Sequence, residues 1–324
     1  MTLSYFQVDT HNERLNVIAS KHNSAWHDFN YRLDLSWIYH DHGLEGIVLQ
    51  PHEISAAIND KISSDNNSFT IYQEIKNLYK SIQVLRENIH TNGSPQRVKG
   101  LLHTCYQQLV ENVRGISSGN GLRQEDSRYG AYYHKCCPHG EVDARLRKLL
   151  TTYNQIDLED SHPIVQAAYF HYEFMQIMPF GRFSGKLARL FSNLLLMRYN
   201  YPAVIIHSVE RARYYEALAQ EEPTELLNLF SESLTSTIDS GLQFFQSDNL
   251  EQLRHREPRR SRSRRDTATS TSKRSSRKRK TQAVSTDKTS TRKREAAKKN
   301  TSRPSKSSST ASSTNKTSRK THRE

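Results

Sequence analysis

The chain has 324 residues and a formal charge of +13, from 47 Lys and Arg against 34 Asp and Glu. The excess sits at one end: positions 251–324 hold 25 basic and 6 acidic residues, which leaves 22 against 28, a balance of −6, in the first 250. Three cysteines, and no apolar run near the ~18–20 residues a bilayer span needs, exclude a disulfide-stapled scaffold and a transmembrane helix.

The opening MTLSYFQVDTHNERLN is polar and lacks the basic-plus-apolar start of an export signal, so the expectation is a cytoplasmic protein. An apolar helical face then runs through Trp26, Phe29, Leu33, Leu35, Trp37 and Ile38, until Gly43 and Gly46 break it. Pro51 stands where a new helix begins, with Ile54 and Ile58 facing inward. After the polar loop 63–68, Ile71, Ile75, Leu78, Ile82 and Leu85 give a long amphipathic helix. The turn Asn92-Gly93-Ser94-Pro95 leads to another, VKGLLHTCYQQLVENV.

From Gly115 to Gly140 the pattern weakens, and the glycine-rich stretch reads as a loop with a small β-hairpin around Tyr132, Tyr133 and His134. Cys136 and Cys137 lie beside His134 and His139, but without a second cysteine pair they read as ordinary thiols and no metal site is expected. Helices resume over Val142–Tyr153, Pro163–Gln176, Gly185–Tyr199, Ala212–Ala219 and Pro223–Phe245. With no alternation of strands and helices, the fold class is mainly α: a helical bundle with a small hairpin. Beyond about Leu253 the apolar residues disappear; such a segment cannot offset its chain entropy by burial and is expected to be disordered.

The stretch HPIVQAAYFHYEFMQIMPFGRFSGKLAR (162–189) carries the most chemical information. A buried helix runs into a Met178-Pro179-Phe180 corner, a glycine-containing loop and a second helix. Unpaired N–H groups at that helix start suit a phosphate. Arg182, Lys186 and Arg189 put three cations there, which fits either phosphate binding or a solvated basic helix end. GRFSGK is one residue too short for a P-loop and has no strand before it.

This segment resembles the core motif of the Fic (Fido) family, H-P-F-x-x-G-N-G-R-x-x-R. Pro179, Phe180, Gly185 and Arg189 match, whereas Met178 stands at the catalytic His, Phe183 at the first Gly, Ser184 at the Asn and Lys186 at the first Arg. The resemblance, which spans roughly 30–235, implies a Fic-like helical bundle, ATP as the nucleotide and AMP transfer to protein hydroxyls. It also implies that Ser184, Gly185, Lys186 and Arg189 contact phosphate. Met178 cannot act as a base, so no catalytic residue is intact; Arg182 stands at the metal-binding acid, where a cation repels Mg²⁺. His171 or His207 would have to substitute as base, although a His on a helix face usually packs or is solvated.

Asp41-His42-Gly43-Leu44-Glu45-Gly46 is similar to the family's inhibitory motif [S/T]-x-x-x-E-[G/N], with Asp41 at the Ser/Thr position. The resemblance pairs Glu45 with Arg189 and makes Glu45 inhibitory; on its own, Glu45 could equally cap a turn. Residues 129–147 look like the family's flap, where Tyr132, Tyr133 and His134 would receive a protein partner by strand addition; an aromatic hairpin packed on the core is the alternative.

The division expected is an N-terminal helical region with the inhibitory-like motif (1–110), a Fic-like core (111–250) and a basic tail (251–324). Clusters at 259–265, 273–280 and 292–299 make nucleic acid the expected partner of 254–324, bound through phosphates, and hence a nucleoid-associated protein. An acidic membrane surface is the runner-up, without an amphipathic or lipidation signal to support it. Together these give a Fic-domain binding or regulatory pseudoenzyme tethered by its tail. The alternative is an active nucleotidyltransferase that uses a substitute base.

Overall fold

The computed structural model describes residues 5–61, 68–90, 95–113, 121–126, 134–155 and 161–246. These hold ten α-helices: α1 (Phe6–Lys21), α2 (Asn23–Leu44), α3 (Pro51–Ile58), α4 (Ser68–Glu87), α5 (Pro95–Val110), α6 (Val142–Gln155), α7 (Pro163–Ile177), α8 (Ser184–Arg198), α9 (Arg211–Ala219) and α10 (Thr224–Gln246). They fall within one unit running to Arg260; the second unit, Ser261–Glu324, lies outside the described residues, as does the expected disorder of the tail.

The mainly α fold expected from the sequence is observed. α7 and α8 share the most extensive interface and form the centre of the unit. Ile164, Ala167, Ala168 and Phe174 of α7, with Leu187, Leu190, Phe191 and Leu194 of α8, are buried, as helices apolar on most sides must be. The periodic residues Ile75, Leu78, Ile82 and Leu85 face inward from α4, and Leu102, Cys105 and Leu109 do so from α5. Pro51 opens α3 as predicted, and a capping box with Gln50 and Glu53 closes the turn, Gln50 N donating to Glu53 Oε2 at 2.6 Å.

α1 gave no sequence signal: it buries Asn12, Leu15 and Ala19 and packs the partly buried Val8 and Ile18 on the core. The expected hairpin centres on Tyr132 and Tyr133, which lie outside the described residues; 134–138 are non-helical, and no strand occurs among the described residues. Gly43 does not break α2, which continues to Leu44. Its missing side chain instead permits contact with the turn Ser208–Glu210: a Cβ at Gly43 would lie 2.5 Å from Ser208 Cβ.

Overpacking there should make Gly43→Ala less stable by about 1–3 kcal/mol in urea denaturation. Gly100→Ala, with no atom within 4 Å of the added carbon, should instead gain about 0.5–1 kcal/mol of helix propensity. No described helix is long and apolar enough to cross a membrane.

Candidate functional site

α7 ends on Met178, whose φ of 48° and ψ of 58° put it in the left-handed region and turn the chain sharply. Arg123 satisfies the carbonyls exposed at this helix end. Its Nε donates to Met178 O at 3.0 Å, its Nη2 to Ile177 O at 3.1 Å, and its backbone N to Pro179 O at 2.9 Å. The loop that follows closes on itself, because Phe180 N donates to Ser184 Oγ at 2.9 Å. Gly181 adopts a φ of 53° and the 3₁₀ turn Gly181–Phe183 leads directly into α8.

Phe183 does not project toward the expected phosphate side. It is buried, edge-on to Tyr106 of α5 with centroids 6.3 Å apart, while Phe180 stacks on the same ring at 4.7 Å. The bulk that replaces glycine is therefore accommodated in the core.

Four charged side chains meet where α8 begins and α2 ends. Asp41 and Glu45 are four residues apart, at the end of α2 and just beyond it; Lys186 and Arg189 are three apart on α8. Lys186 Nζ donates to Asp41 Oδ2 at 2.9 Å and lies 2.6 Å from Glu45 Oε2. Arg189 Nε donates to Asp41 Oδ1 at 2.5 Å, and its Nη2 is 3.5 Å from Glu45 Oε1. The side chains of Asp41, Lys186 and Arg189 are at most 6% exposed, and that of Glu45 is 16% exposed.

Burial by itself would raise the pKa of Asp41, but the adjacent charges of Arg189 and Lys186 outweigh it and hold the carboxyl well below its ordinary value. Glu45 moves the other way: burial, helped by the Asp41 charge, raises it against the pull of Lys186. For Lys186 and Arg189 the carboxylates overcome burial, and both ammonium and guanidinium stay protonated. His42 lies next to the group; burial, with the charge on Lys186, pushes it down to about 3, and its Nδ1 donates to Ile38 O at 2.8 Å. A neutral His42 leaves two anions balanced by two cations.

Beyond this quartet, Arg189 Nη1 donates to Tyr214 OH at 3.3 Å, and Tyr214 OH is 2.8 Å from His171 Nε2. A cavity of about 300 Å³ opens beside the cluster, lined by Glu45, Ile47, Met175, Met178, Arg182, Gly185, Arg189 and Tyr215. A Cβ at Gly185 would approach Arg189 Nη1 to 3.1 Å, so glycine leaves the guanidinium room at the wall.

The sequence-predicted residues thus divide. Met178, Gly185, Arg189 and Glu45 surround one cavity, and Lys186 joins them from behind. Ser184 is buried and occupied within the loop. Arg182 also lines the cavity but does not join the quartet: its guanidinium pairs with Glu74 of α4, a carboxylate only 2% exposed, and lies over the Phe183 ring. His171 is buried, held neutral by burial and by the Arg189 charge, and is absent from the cavity lining. His207 stacks on His40, centroids 4.3 Å apart, and is also absent.

His134 of the expected flap is turned inward, its Nε2 on the Met175 carbonyl. Cys136 Sγ lies 3.4 Å from Met178 Sδ, and Cys137 is buried against Ile177 O. No group of three or more His, Cys, Asp or Glu among the described residues could hold a metal. Where the resemblance puts a metal-binding acid, position 182 is an arginine, and the one acid in the cavity lining, Glu45, is paired with Lys186, so the residues present do not fit Mg²⁺.

Sequence reasoning missed Asp41, Arg123 and Tyr214. The signal for Asp41 was present in its i, i+4 spacing from Glu45, mirrored by Lys186 and Arg189. Nothing local marks Arg123 as the cap of a helix more than fifty positions away.

Residues 98–196 match the family described as Fic/DOC. Over 185 residues the chain is 28% identical to Protein adenylyltransferase Fic of Culex quinquefasciatus, covering 56% of this chain and 35% of that protein. It is 26% identical over 216 residues to the protein of the same name in Drosophila melanogaster, covering 63% and 42%. The chain spans well under half the length of these relatives. Among solved structures, a Fic domain containing signaling protein from Bacteroides thetaiotaomicron superposes with a TM-score of 0.63 at 18% identity, covering 73% of this chain and 97% of that one. Fic-1 from C. elegans gives 0.60 at 18%, covering 75% and 73%. At that identity the likeness concerns the fold.

Proposed function

We propose that this chain, which carries a Fic (Fido) domain, is a binding or regulatory protein that holds a nucleotide phosphate in the cleft without transferring AMP, and that its basic tail tethers it to nucleic acid. One observation carries the reading: no residue lining the cavity is a free general base. Met178 stands where the resemblance puts the catalytic His and has no titratable proton. Glu45, the single acid in the lining, is ion-paired to Lys186, and Tyr215 OH is committed to Leu44 O at 3.1 Å. A hydroxyl nucleophile without a base loses about 10²–10⁴ in rate, and the arginine at position 182 adds to that by disfavouring the metal.

ATP is the nucleotide suggested by the adenylyltransferase names of the relatives. Lys186 and Arg189 would receive its phosphates once their carboxylates withdraw, and Gly185 leaves the helix start open for close approach. Those same names favour a second reading, an active nucleotidyltransferase with a substitute base.

Incubation of the wild-type chain and Glu45→Gly with α-labelled ATP, Mg²⁺ or Mn²⁺ and candidate proteins separates the two. We expect no covalent label beside an intact-motif Fic protein that labels normally. Label on either variant's targets, or on the chain itself, would overturn the binding reading in favour of transfer.

A further inference from the structure

We infer that Cys136, Met178 and His134 form a binding site for a soft monovalent cation, copper(I), at the C-terminal end of α7. The inference stands apart from the nucleotide-binding reading, since Asp41, Glu45, Lys186 and Arg189 take no part in it.

The three donors meet although two segments far apart in the chain supply them. Cys136 Sγ lies 3.4 Å from Met178 Sδ and 3.8 Å from His134 Nε2. With bonds of about 2.3 Å to sulfur and about 2.0 Å to nitrogen, an ion on Cys136 would see the two sulfurs at about 95°. It would see the thiolate and the imidazole at about 125°. Such angles suit an ion of low coordination number. The backbone holds the donors in place. Met178 sits in its left-handed turn, with its carbonyl on Arg123 Nε at 3.0 Å. Cys137 N donates to Gln176 O at 3.0 Å, and Arg123 Nη2 donates to Cys137 O, so this segment is strapped to the last turn of α7. Met178 lines the cavity and Cys136 is partly exposed, which gives an ion a way in.

The donor types select the ion. Thiolate with thioether is a soft set that favours Cu(I) over Mg²⁺ or Ca²⁺, which take oxygen ligands. A closed zinc site draws its four ligands from Cys, His, Asp and Glu, and no group of three or more of these occurs among the described residues. Charge points the same way. Met178 is 4% and His134 7% exposed, and one thiolate with one monovalent ion adds no net charge there, whereas a divalent ion would leave a buried positive charge. On binding, the Cys136 S–H bond breaks, its proton goes to solvent and an S–Cu bond forms; the copper keeps its oxidation state. His134 joins by changing tautomer. In the metal-free fold its Nε2 donates to Met175 O at 2.5 Å, while Nδ1 is buried with no hydrogen-bond partner. Moving the proton to Nδ1 frees the Nε2 lone pair for the ion and gives up the Met175 bond.

The test titrates Cu(I), without oxygen and against a chromophoric Cu(I) chelator, into full-length wild type, Cys136→Ser, Met178→Leu and Cys105→Ser; Zn²⁺ is titrated separately. One Cu(I) per chain is expected, with X-ray absorption showing two sulfurs at about 2.3 Å. Cys136→Ser and Met178→Leu should each weaken binding by at least the roughly 10–100-fold that losing an outer-shell partner costs. Cys105→Ser, which removes a buried thiol of α5, should bind as the wild type does. Both site substitutions nearly conserve volume, and melting without metal checks their fold. Should either fail to fold, the absorption spectrum of the wild type decides, and a shell with fewer than two sulfurs overturns the site. Undiminished binding by folded Cys136→Ser or Met178→Leu would overturn it too, as would equal affinity for Zn²⁺ or no Cu(I) bound by the wild type.

Discussion

Asp41→Asn should lower the unfolding free energy by about 3–5 kcal/mol in urea at pH 7, because it leaves Lys186 and Arg189 buried with one carboxylate between them. Glu45→Gln should change it by about 1 kcal/mol or less. The asymmetry follows from opposite pKa directions within one cluster. The Asp41 pKa is depressed in the fold, so its contribution is present above its ordinary value of 3.8 and is lost as pH falls below that. The Glu45 pKa is raised above 4.5, so the folded state holds its proton more tightly, and ionising it opposes folding as pH rises through its folded value. The wild type should therefore lose stability steeply below about pH 4, and Asp41→Asn should show a flatter profile there. A loss from Glu45→Gln as large as that from Asp41→Asn would mean that the two carboxylates share the pairing equally.

The second large effect concerns the tail. Affinity of the full chain for duplex DNA should fall about 10³–10⁵-fold between 50 and 200 mM salt, the response expected for 6–10 phosphate contacts. A chain ending at residue 253 should show no measurable binding by fluorescence anisotropy. The reason is charge: the first 250 residues carry a balance of −6, whereas 251–324 carry 25 basic against 6 acidic residues. The tail contains no aromatic residue on which a base could stack, so duplexes of unrelated sequence should bind alike. Retention of DNA by the shortened chain, or a salt-insensitive affinity, would remove the tail from that role.

The helices with strong periodicity were legible from the sequence: Ile75, Leu78, Ile82 and Leu85 face the core as their spacing required. α1 was not, since it buries one long apolar side chain and two small or polar ones. Pairwise identity was legible only where a resemblance supplied it. Glu45 and Arg189 were matched in advance, yet the closer partner of Arg189 is Asp41, which the motif comparison treated as a mere replacement. Arg182 does line the cavity, as expected, but its guanidinium is paired with a buried Glu74 more than a hundred positions earlier in the chain. Local pattern has no access to such a pairing. Gly43 was misread for a related reason: its role is set by Ser208 across the fold rather than by helix propensity.

The Arg182–Glu74 pair also ties two distant positions together. Replacing Arg182 by an acid sets a second carboxylate against Glu74, whose Oε2 already lacks a hydrogen-bond partner. Changing Glu74 alone strands the arginine. Either substitution by itself leaves this contact unbalanced, so the loop that opens α8 and the face of α4 beneath it vary as one unit.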